Sequence, residues 1–259
     1  MIESQEPSVV HVAGVSKYFG GPNGIKALDN VSFAVPDREF VSVLGPSGCG
    51  KSTLLRILAG LQPVDGGRAA LFGDRISRPH DDVGVVFQTS NLLPWLSVTG
   101  NLRLALEVRK GKAAANRADI AAMVALLKLE GFERKYPHQL SGGMRHRVAI
   151  GQALMCEPRL LLLDEPFGAL DALTRDRLNQ ELLRLWERDA KTVILITHSI
   201  AEAVLLSDRV IVLSERPGRM IADIRIDLPR PRLPSTTRAL PAFADHVAAL
   251  GRIMGADQA

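Results

Sequence analysis

The chain has 259 residues, of which 46% are apolar and 23% charged, the balance of a globular protein rather than a disordered one. No apolar run approaches the ~20 residues that span a bilayer, so no transmembrane segment is expected, and no secretory leader is expected either. The net charge of +4 is mild and its basic residues are scattered, which argues against nucleic-acid binding. The two cysteines, Cys49 and Cys156, offer no disulfide framework or metal-like spacing and suit a reducing compartment.

The first third of the chain is rich in short β-type runs separated by turn residues. Three of these runs predict a small antiparallel element: residues 9–15, 31–35 and 68–72. Between them, the apolar run Phe40–Leu44 ends at a glycine, and a helix is predicted over residues 51–61. A further short strand is predicted at residues 84–87.

The rest of the chain alternates helices with buried strands. Alanine- and leucine-rich sequence from about Ser97 to Lys135 predicts a helical insert. The next predicted elements are a strand at 160–163, an amphipathic helix at 172–188, and strands at Thr192–Thr197 and Arg209–Leu213. This alternation predicts an α/β fold with a largely parallel sheet and two lobes. After Leu228, repeated prolines predict an irregular linker leading to a helix near residues 242–254.

A glycine-rich loop is the most informative motif. Residues 45–52 fit G-x-x-x-x-G-K-[ST] directly between the predicted strand and helix. The residues expected to surround phosphate groups are Gly45, Pro46, Ser47, Gly48, Cys49, Gly50, Lys51, Ser52 and Thr53. Backbone N–H groups and the helix N-terminus would face the phosphate oxygens, Lys51 would bridge the β- and γ-phosphates, and the Ser52 hydroxyl would ligate Mg²⁺. Cys49 is interpreted as a small loop residue rather than a nucleophile.

Two carboxylates, Asp164 and Glu165, follow the apolar run at residues 160–163. A buried parallel strand delivers such side chains to the carboxyl edge of a sheet, where ligands of α/β proteins bind. We expect Asp164 to hold Mg²⁺ and Glu165 to polarise the water that attacks the γ-phosphate. Alone the pattern would fit two surface carboxylates, but a phosphate loop in the same chain favours the catalytic interpretation.

The run Leu140-Ser141-Gly142-Gly143 resembles the signature of ABC ATPases, whereas the phosphate loop alone would also fit kinases, GTPases and helicases. Ser141 occupies a helix N-cap position and the glycines expose backbone N–H groups, so a second anion-binding helix start is expected. In the family, this element faces the ATP that the other subunit holds. The resemblance therefore implies a homodimer that encloses two ATP molecules.

The same resemblance implies roles for four further residues. Phe19 resembles the aromatic residue that stacks on adenine, with Tyr18, or a core role for Phe19, as alternatives. Gln88 resembles the glutamine that contacts Mg²⁺ and the attacking water and begins the loop facing the membrane partner. Asp171 resembles the aspartate that crosses the dimer interface, and His198 resembles the histidine that contacts the γ-phosphate.

The resemblance covers about residues 9–230 and implies a P-loop NTPase core of the RecA type, with a small antiparallel β element and an inserted α-helical subdomain. One ABC ATPase domain is expected over residues 1–228. Its core lobe is expected at about 1–95 and 155–228, and its helical subdomain at about 96–154. Residues 229–259 are expected to form a proline-rich linker and a short C-terminal helix.

One departure from the signature and three stretches point to a subgroup. Met144 stands where a glutamine usually ends the signature, and a methionine there resembles the importers of the nitrate, sulfonate and taurine group. Residues 91–95, 144–150 and 214–219 resemble the same group. The implied function is an ATPase subunit, with ATP and Mg²⁺ as cofactors, that couples dimer closure to transport of a small solute through a separate permease.

The implied partners are two transmembrane permease subunits and, indirectly, an extracytoplasmic solute-binding protein. The chain is then peripheral, on the cytoplasmic face of the inner membrane. Two alternatives stay open: an ATPase of an exporter or lipoprotein-extracting system, and a non-transport ABC clamp that acts on nucleic acid or the ribosome. A single phosphate loop and a short helical insert argue against the clamp. Solute selection belongs to the permease and the binding protein, so the solute itself stays open.

Overall fold

The computed structural model describes residues 8–20, 24–111, 117–168, 172–189 and 191–255, and the chain divides into two units. The first unit comprises the described parts of Met1–His80 and Leu185–Ala259, and the second those of Asp81–Arg184. In these ranges, no helix is long and apolar enough to cross a membrane. The lobe boundaries expected from the sequence stay a prediction.

Strands and helices alternate along most of the chain, as the sequence pattern predicts. The strands are β1 (Ser8–Phe19), β2 (Ile25–Pro36), β3 (Phe40–Leu44), β4 (Gly66–Leu71), β5 (Asp74–Arg75), β6 (Val83–Val86), β7 (Leu160–Asp164), β8 (Thr192–Thr197), β9 (Arg209–Leu213) and β10 (Met220–Arg225). The helices are α1 (Lys51–Leu58), α2 (Val98–Lys110), α3 (Arg117–Leu126), α4 (Gly142–Met155), α5 (Ala172–Asp189), α6 (Ile200–Leu206), α7 (Pro234–Thr237) and α8 (Pro241–Ile253).

The first unit contains an antiparallel sheet in the order β2-β1-β4-β5, which is the small antiparallel element expected from the sequence. Strand β1 runs past the predicted end at Val15 to Phe19. Register shifts on either side of Val15 accommodate Gly14 without ending the pairing, as β-bulges do.

Four strands of the first unit form a second ladder in the order β10-β9-β3-β8. Strand β3 is parallel to both β8 and β9, whereas β10 is antiparallel to β9. Every residue of β3 and β8 is buried. Uninterrupted apolar runs are typical of parallel strands that are covered on both faces. Strand pairing of this kind brings the carboxyl ends of β3 and β8 to one edge of the sheet.

Two arginines and a helix of the C-terminal segment contact the rest of the first unit. Arg232 is 2% exposed and donates hydrogen bonds to five backbone carbonyls, those of Val204, Leu205, Ser207, Ile226 and Leu228. Arg230 pairs with Asp208 at 2.7 Å and lies 4.0 Å from the ring centroid of Trp186. Helix α8 packs against α6. The segment predicted as an irregular linker thus covers part of the core.

In the second unit, strands β6 and β7 form a parallel pair. Helices α2, α3 and α4 contribute to a separate apolar core together with the turns that connect them. Its fully buried members include Leu102, Leu106 and Leu129. Helix α2 begins at the N-cap Ser97, whose hydroxyl accepts the Gly100 N–H. The predicted helical insert is therefore a helical body with its own core.

Candidate functional site

The glycine-rich loop connects β3 to α1, where the sequence predicts it. Gly48 and Gly50 have φ angles of 77° and 105°, in the left-handed region that glycine adopts at least cost. A Cβ atom on Gly50 would also lie 2.7 Å from the Ala27 carbonyl oxygen. The Lys51 ammonium folds over the loop and donates to the carbonyl oxygens of Gly45 and Pro46 at 2.8 and 2.9 Å. The loop therefore has a defined conformation, and it leads directly into the N-terminus of α1.

The turn at residues 214–219 packs against this loop and against β2. The Gly218 N–H donates to the Ala27 carbonyl at 2.9 Å, and the Gly218 carbonyl accepts the Asp29 N–H at 3.0 Å. A Cβ atom on Gly218 would lie 2.2 Å from the Cys49 carbonyl oxygen. The neighbouring Arg219 pairs with the Asp29 carboxylate at 2.6 Å. Residues 214–219 therefore back the phosphate loop.

The charge around Asp29 reinforces this support. The Lys26 ammonium, which forms an ion pair with Asp29, and then the Arg219 guanidinium hold the pKa of the Asp29 carboxyl below its usual value. The carboxylate thus stays ionised between two cations and ties β2 to the turn that contacts Cys49.

His198 leaves the same sheet edge as the phosphate loop. Leu44, the last residue of β3, is paired in register with Thr197, the last residue of β8. Gly45 and His198 follow these two residues directly, so the first unit brings the loop and the exposed histidine side by side. Ligands of α/β proteins bind at this edge.

The two candidate adenine-stacking residues differ in exposure. Phe19 ends β1 with 41% of its surface exposed, whereas Tyr18 is half-buried. The Tyr18 N–H donates to the Asp65 carboxylate at 2.7 Å, and Lys26 lies over the Tyr18 ring. This exposure favours Phe19 as the ring available to a ligand and argues against a core role for it.

In the second unit, Gln88 and the acidic pair lie at one edge of the β6–β7 pair. Val86 and Leu163 are in register, and Gln88 and Glu165 each follow two residues later. Asp164 is 5% exposed. Glu165 has φ 43°, in a left-handed conformation that costs a non-glycine residue about 1–2 kcal/mol. Strain of this kind often marks a functional position.

The expected N-cap of the signature is present. The Ser141 hydroxyl caps α4 by accepting the Met144 N–H at 3.3 Å. A Cβ atom on Gly143 would lie 3.2 Å from the Thr174 methyl group, so a glycine lets α4 approach α5 closely. Met144 packs against the apolar core of the second unit, which gives this departure from the signature a structural role. Asp171 lies outside the described residues.

Sequence reasoning missed a polar group beside His198. Thr197 and Glu202 are both buried, at 2% and 7% exposure, and are joined by a hydrogen bond. A signal for it was available: residues 199–202 read Ser-Ile-Ala-Glu, the S-x-x-E pattern of a helix capping box. Ser199 is indeed the N-cap of α6.

A family profile described as "ABC transporter" matches residues 28–168, more than half of the chain. The chain belongs to the ABC transporter family. The resemblance seen in the sequence is thereby confirmed, and the matched region contains the glycine-rich loop, the signature and the acidic pair.

Individual proteins of this family show the same relationship. The chain is 45% identical to the aliphatic sulfonates import ATP-binding protein of Bacillus cereus, covering 86% of this chain and 88% of that one. It is 44% identical to the taurine import ATP-binding protein of Rhizobium johnstonii, covering 92% and 93%. The predicted likeness to the sulfonate and taurine group is confirmed.

A solved structure shows that the ABC ATPase fold is correctly predicted. It is a dimeric post-hydrolysis state of an ATP-binding cassette bound to ADP and Pi. The match has a TM-score of 0.73 and 33% sequence identity, and it covers 84% of this chain and 98% of that one. The chain is therefore an ABC-type ATP-binding cassette, and ATP is the nucleotide that it binds.

Proposed function

We propose that this chain is the ATP-hydrolysing subunit of an importer for a small solute of the sulfonate or taurine type. The observation that carries the proposal is the built phosphate loop, with His198 leaving the same sheet edge, in a chain whose relatives are sulfonate and taurine import ATP-binding proteins. The relatives' names favour import over the exporter and clamp alternatives.

Within this proposal, each candidate residue has one task. Lys51 and the N–H groups of the loop bind the β- and γ-phosphates, and His198 contacts the γ-phosphate. Glu165 accepts the proton of the attacking water as general base. Phe19 stacks on the adenine ring. Ser141, with Gly142 and Gly143, presents the start of α4 to the ATP bound by a second copy of the chain, and Asp171 contributes to the same dimer.

The donor set suits Mg²⁺. The Ser52 hydroxyl, the Gln88 amide oxygen and the Asp164 carboxylate are hard oxygen ligands, which Mg²⁺ prefers. The glycine-rich loop that ends at Ser52 also has the backbone geometry to receive phosphate groups, which supply further oxygens. When bound, the ion would neutralise charge on the β- and γ-phosphate oxygens.

The proposal places two copies of the chain on a membrane permease, at its cytoplasmic side. Each γ-phosphate would bridge two copies, so ATP favours the closed dimer by mass action and hydrolysis reopens it. The loop after Gln88 and the helical body of the second unit would carry this movement to two permease subunits. An extracytoplasmic binding protein would deliver the solute.

The test combines turnover with uptake. Glu165→Gln is expected to bind ATP, dimerise with it and lose turnover by about 10²-fold or more, whereas Lys51→Ala is expected to lose nucleotide binding or turnover. Uptake of labelled taurine and of an alkanesulfonate is measured in cells that carry either variant in place of the native chain. Normal turnover of Glu165→Gln contradicts the base assignment, and normal uptake of both solutes with Lys51→Ala contradicts the importer.

A further inference from the structure

We infer that Thr197 and Glu202 are positioning residues that hold the turn carrying His198 in its reactive placement. The inference rests on the proposed function, because it takes His198 as the residue that contacts the γ-phosphate. The two residues form a hydrogen-bond relay within the first unit, outside the ATPase motifs identified in the sequence.

The relay passes through the Thr197 hydroxyl. This hydroxyl donates to Glu202 Oε2 at 2.5 Å and accepts the Ser199 N–H at 3.0 Å. The hydrogen bond between the Thr197 hydroxyl and the Ser199 N–H therefore links the residue before His198 to the residue after it. This link restricts the backbone conformation of His198.

The helix that follows closes the relay. Ser199 caps α6, and its hydroxyl accepts the Glu202 N–H at 3.3 Å. In an ordinary capping box the N3 carboxylate would reach the N-cap N–H directly. Here the Glu202 carboxylate reaches that N–H through Thr197, so the box extends by two residues and encloses His198.

Stability alone does not account for Glu202. The residue is 7% exposed, and among the described residues its Oε1 has no hydrogen-bond partner. A buried carboxylate with an unsatisfied oxygen costs free energy of folding. Natural proteins retain such a destabilising group mainly where the geometry of a functional site depends on it.

The other end of α6 is fixed independently. The Arg232 guanidinium donates to the carbonyl oxygens of Val204, Leu205 and Ser207, at the C-terminus of this short helix. The helix is held there and β8 is held in the sheet, so a loss of the relay should act on the turn between them. Loss of the relay should therefore displace His198 rather than the helix.

The first experiment compares Thr197→Val with Thr197→Ser in the full-length chain. Valine keeps the shape of threonine and removes the hydroxyl, whereas serine keeps the hydroxyl. We expect valine to lower kcat for ATP by roughly 10- to 100-fold, since a misplacement of about 1 Å can cost about 10²-fold, while KM changes by less than about 3-fold. Serine should restore kcat to within about 3-fold of the native value.

A second pair keeps the inference testable if the valine variant does not fold. Glu202→Ala removes the acceptor of the Thr197 hydroxyl, and Glu202→Gln retains an oxygen that accepts it. We expect the alanine variant to lose kcat in the same way and the glutamine variant to retain most of it, with ATP affinity unchanged in both.

The deciding measurement is a double-mutant cycle with His198→Ala, read by single-turnover hydrolysis. If the relay acts through His198, Thr197→Val has no further effect in that background. An undiminished loss there, a native kcat for Thr197→Val, or equal losses for valine and serine would overturn the inference. A native rate for His198→Ala would instead refute the role of His198 in the proposed function.

Discussion

The substitution Gly218→Ala tests whether the turn at residues 214–219 supports the phosphate loop. The added methyl group would lie 2.2 Å from the Cys49 carbonyl oxygen and 3.4 Å from the Leu28 Cδ2 atom. Gly218 has no positive φ, so alanine meets no backbone strain of its own there. The effect should come only from the contact with the loop.

The size of the effect follows from that distance. A carbon–oxygen contact normally needs about 3.3 Å, so relief of the clash requires a shift of roughly 1 Å. The turn is fixed to β2 by two backbone hydrogen bonds and by the pair between Arg219 and Asp29. The loop should therefore move, at about 1–3 kcal/mol of folding free energy. Because the proposed function assigns phosphate binding to the N–H groups of this loop, ATP affinity should fall roughly 10- to 100-fold.

The assay pairs ATP affinity, from displacement of a fluorescent nucleotide, with the free energy of unfolding in urea. Gly251→Ala is the matched control, since a Cβ atom there meets nothing within 4 Å and the residue lies inside α8. The control should bind ATP normally and be equally stable or up to about 1 kcal/mol more stable. A Gly218→Ala variant that is less stable but binds ATP normally would show that the turn moves instead of the loop, which would refute the support of the loop by this turn.

Two further predictions concern stability. Arg232→Ala should lower the free energy of unfolding in urea by roughly 2–4 kcal/mol, because five carbonyl acceptors lose a charged donor. Arg232→Lys should recover only part of this stability, because one ammonium group cannot reach all five carbonyls. Equal stability of the native chain and both variants would contradict the prediction. The Tyr18 N–H and then the Lys17 ammonium lower the pKa of Asp65 from 3.8. Its contribution is therefore present above that pH and lost as the pH falls through the lower folded-state pKa. Asp65→Asn should differ from the native chain in urea midpoint at pH 6, and the difference should shrink as the pH falls below 3.8; a constant difference would refute the assignment.

The parallel strands were the most predictable part of the fold. Strands β3, β8 and β9 have the bounds predicted from the sequence, because a strand buried on both faces is a short apolar run bounded by turn residues. The phosphate loop and the capped start of α4 were equally accessible, since each is a contiguous motif whose backbone geometry follows from its own glycines or serine.

Strand β10 and helix α6 were not predicted, for different physical reasons. The residues of β10 are exposed or half-buried, so its sequence lacks the apolar run of its neighbours, and pairing with β9 defines it. Helix α6 has only seven residues, too few for a helical period to show. The capping-box pattern at residues 199–202 could have indicated where this helix begins, but it does not indicate how far the helix extends.

The support of the candidate site follows a different rule from its motifs. Gly218 is required by the Cys49 carbonyl, although the two residues are far apart in the sequence. Arg232 binds carbonyl groups at the end of α6, although it lies in a proline-rich segment. Gly218 lies in the stretch 214–219 that resembles the importer group, but neither residue stands in a local pattern that explains a glycine or an arginine there. Residues that bind a ligand tend to sit in contiguous motifs, because one loop must present several groups to one phosphate. Residues that hold such a loop in place need only contact it, so their structural role is identified from contacts and not from a sequence pattern.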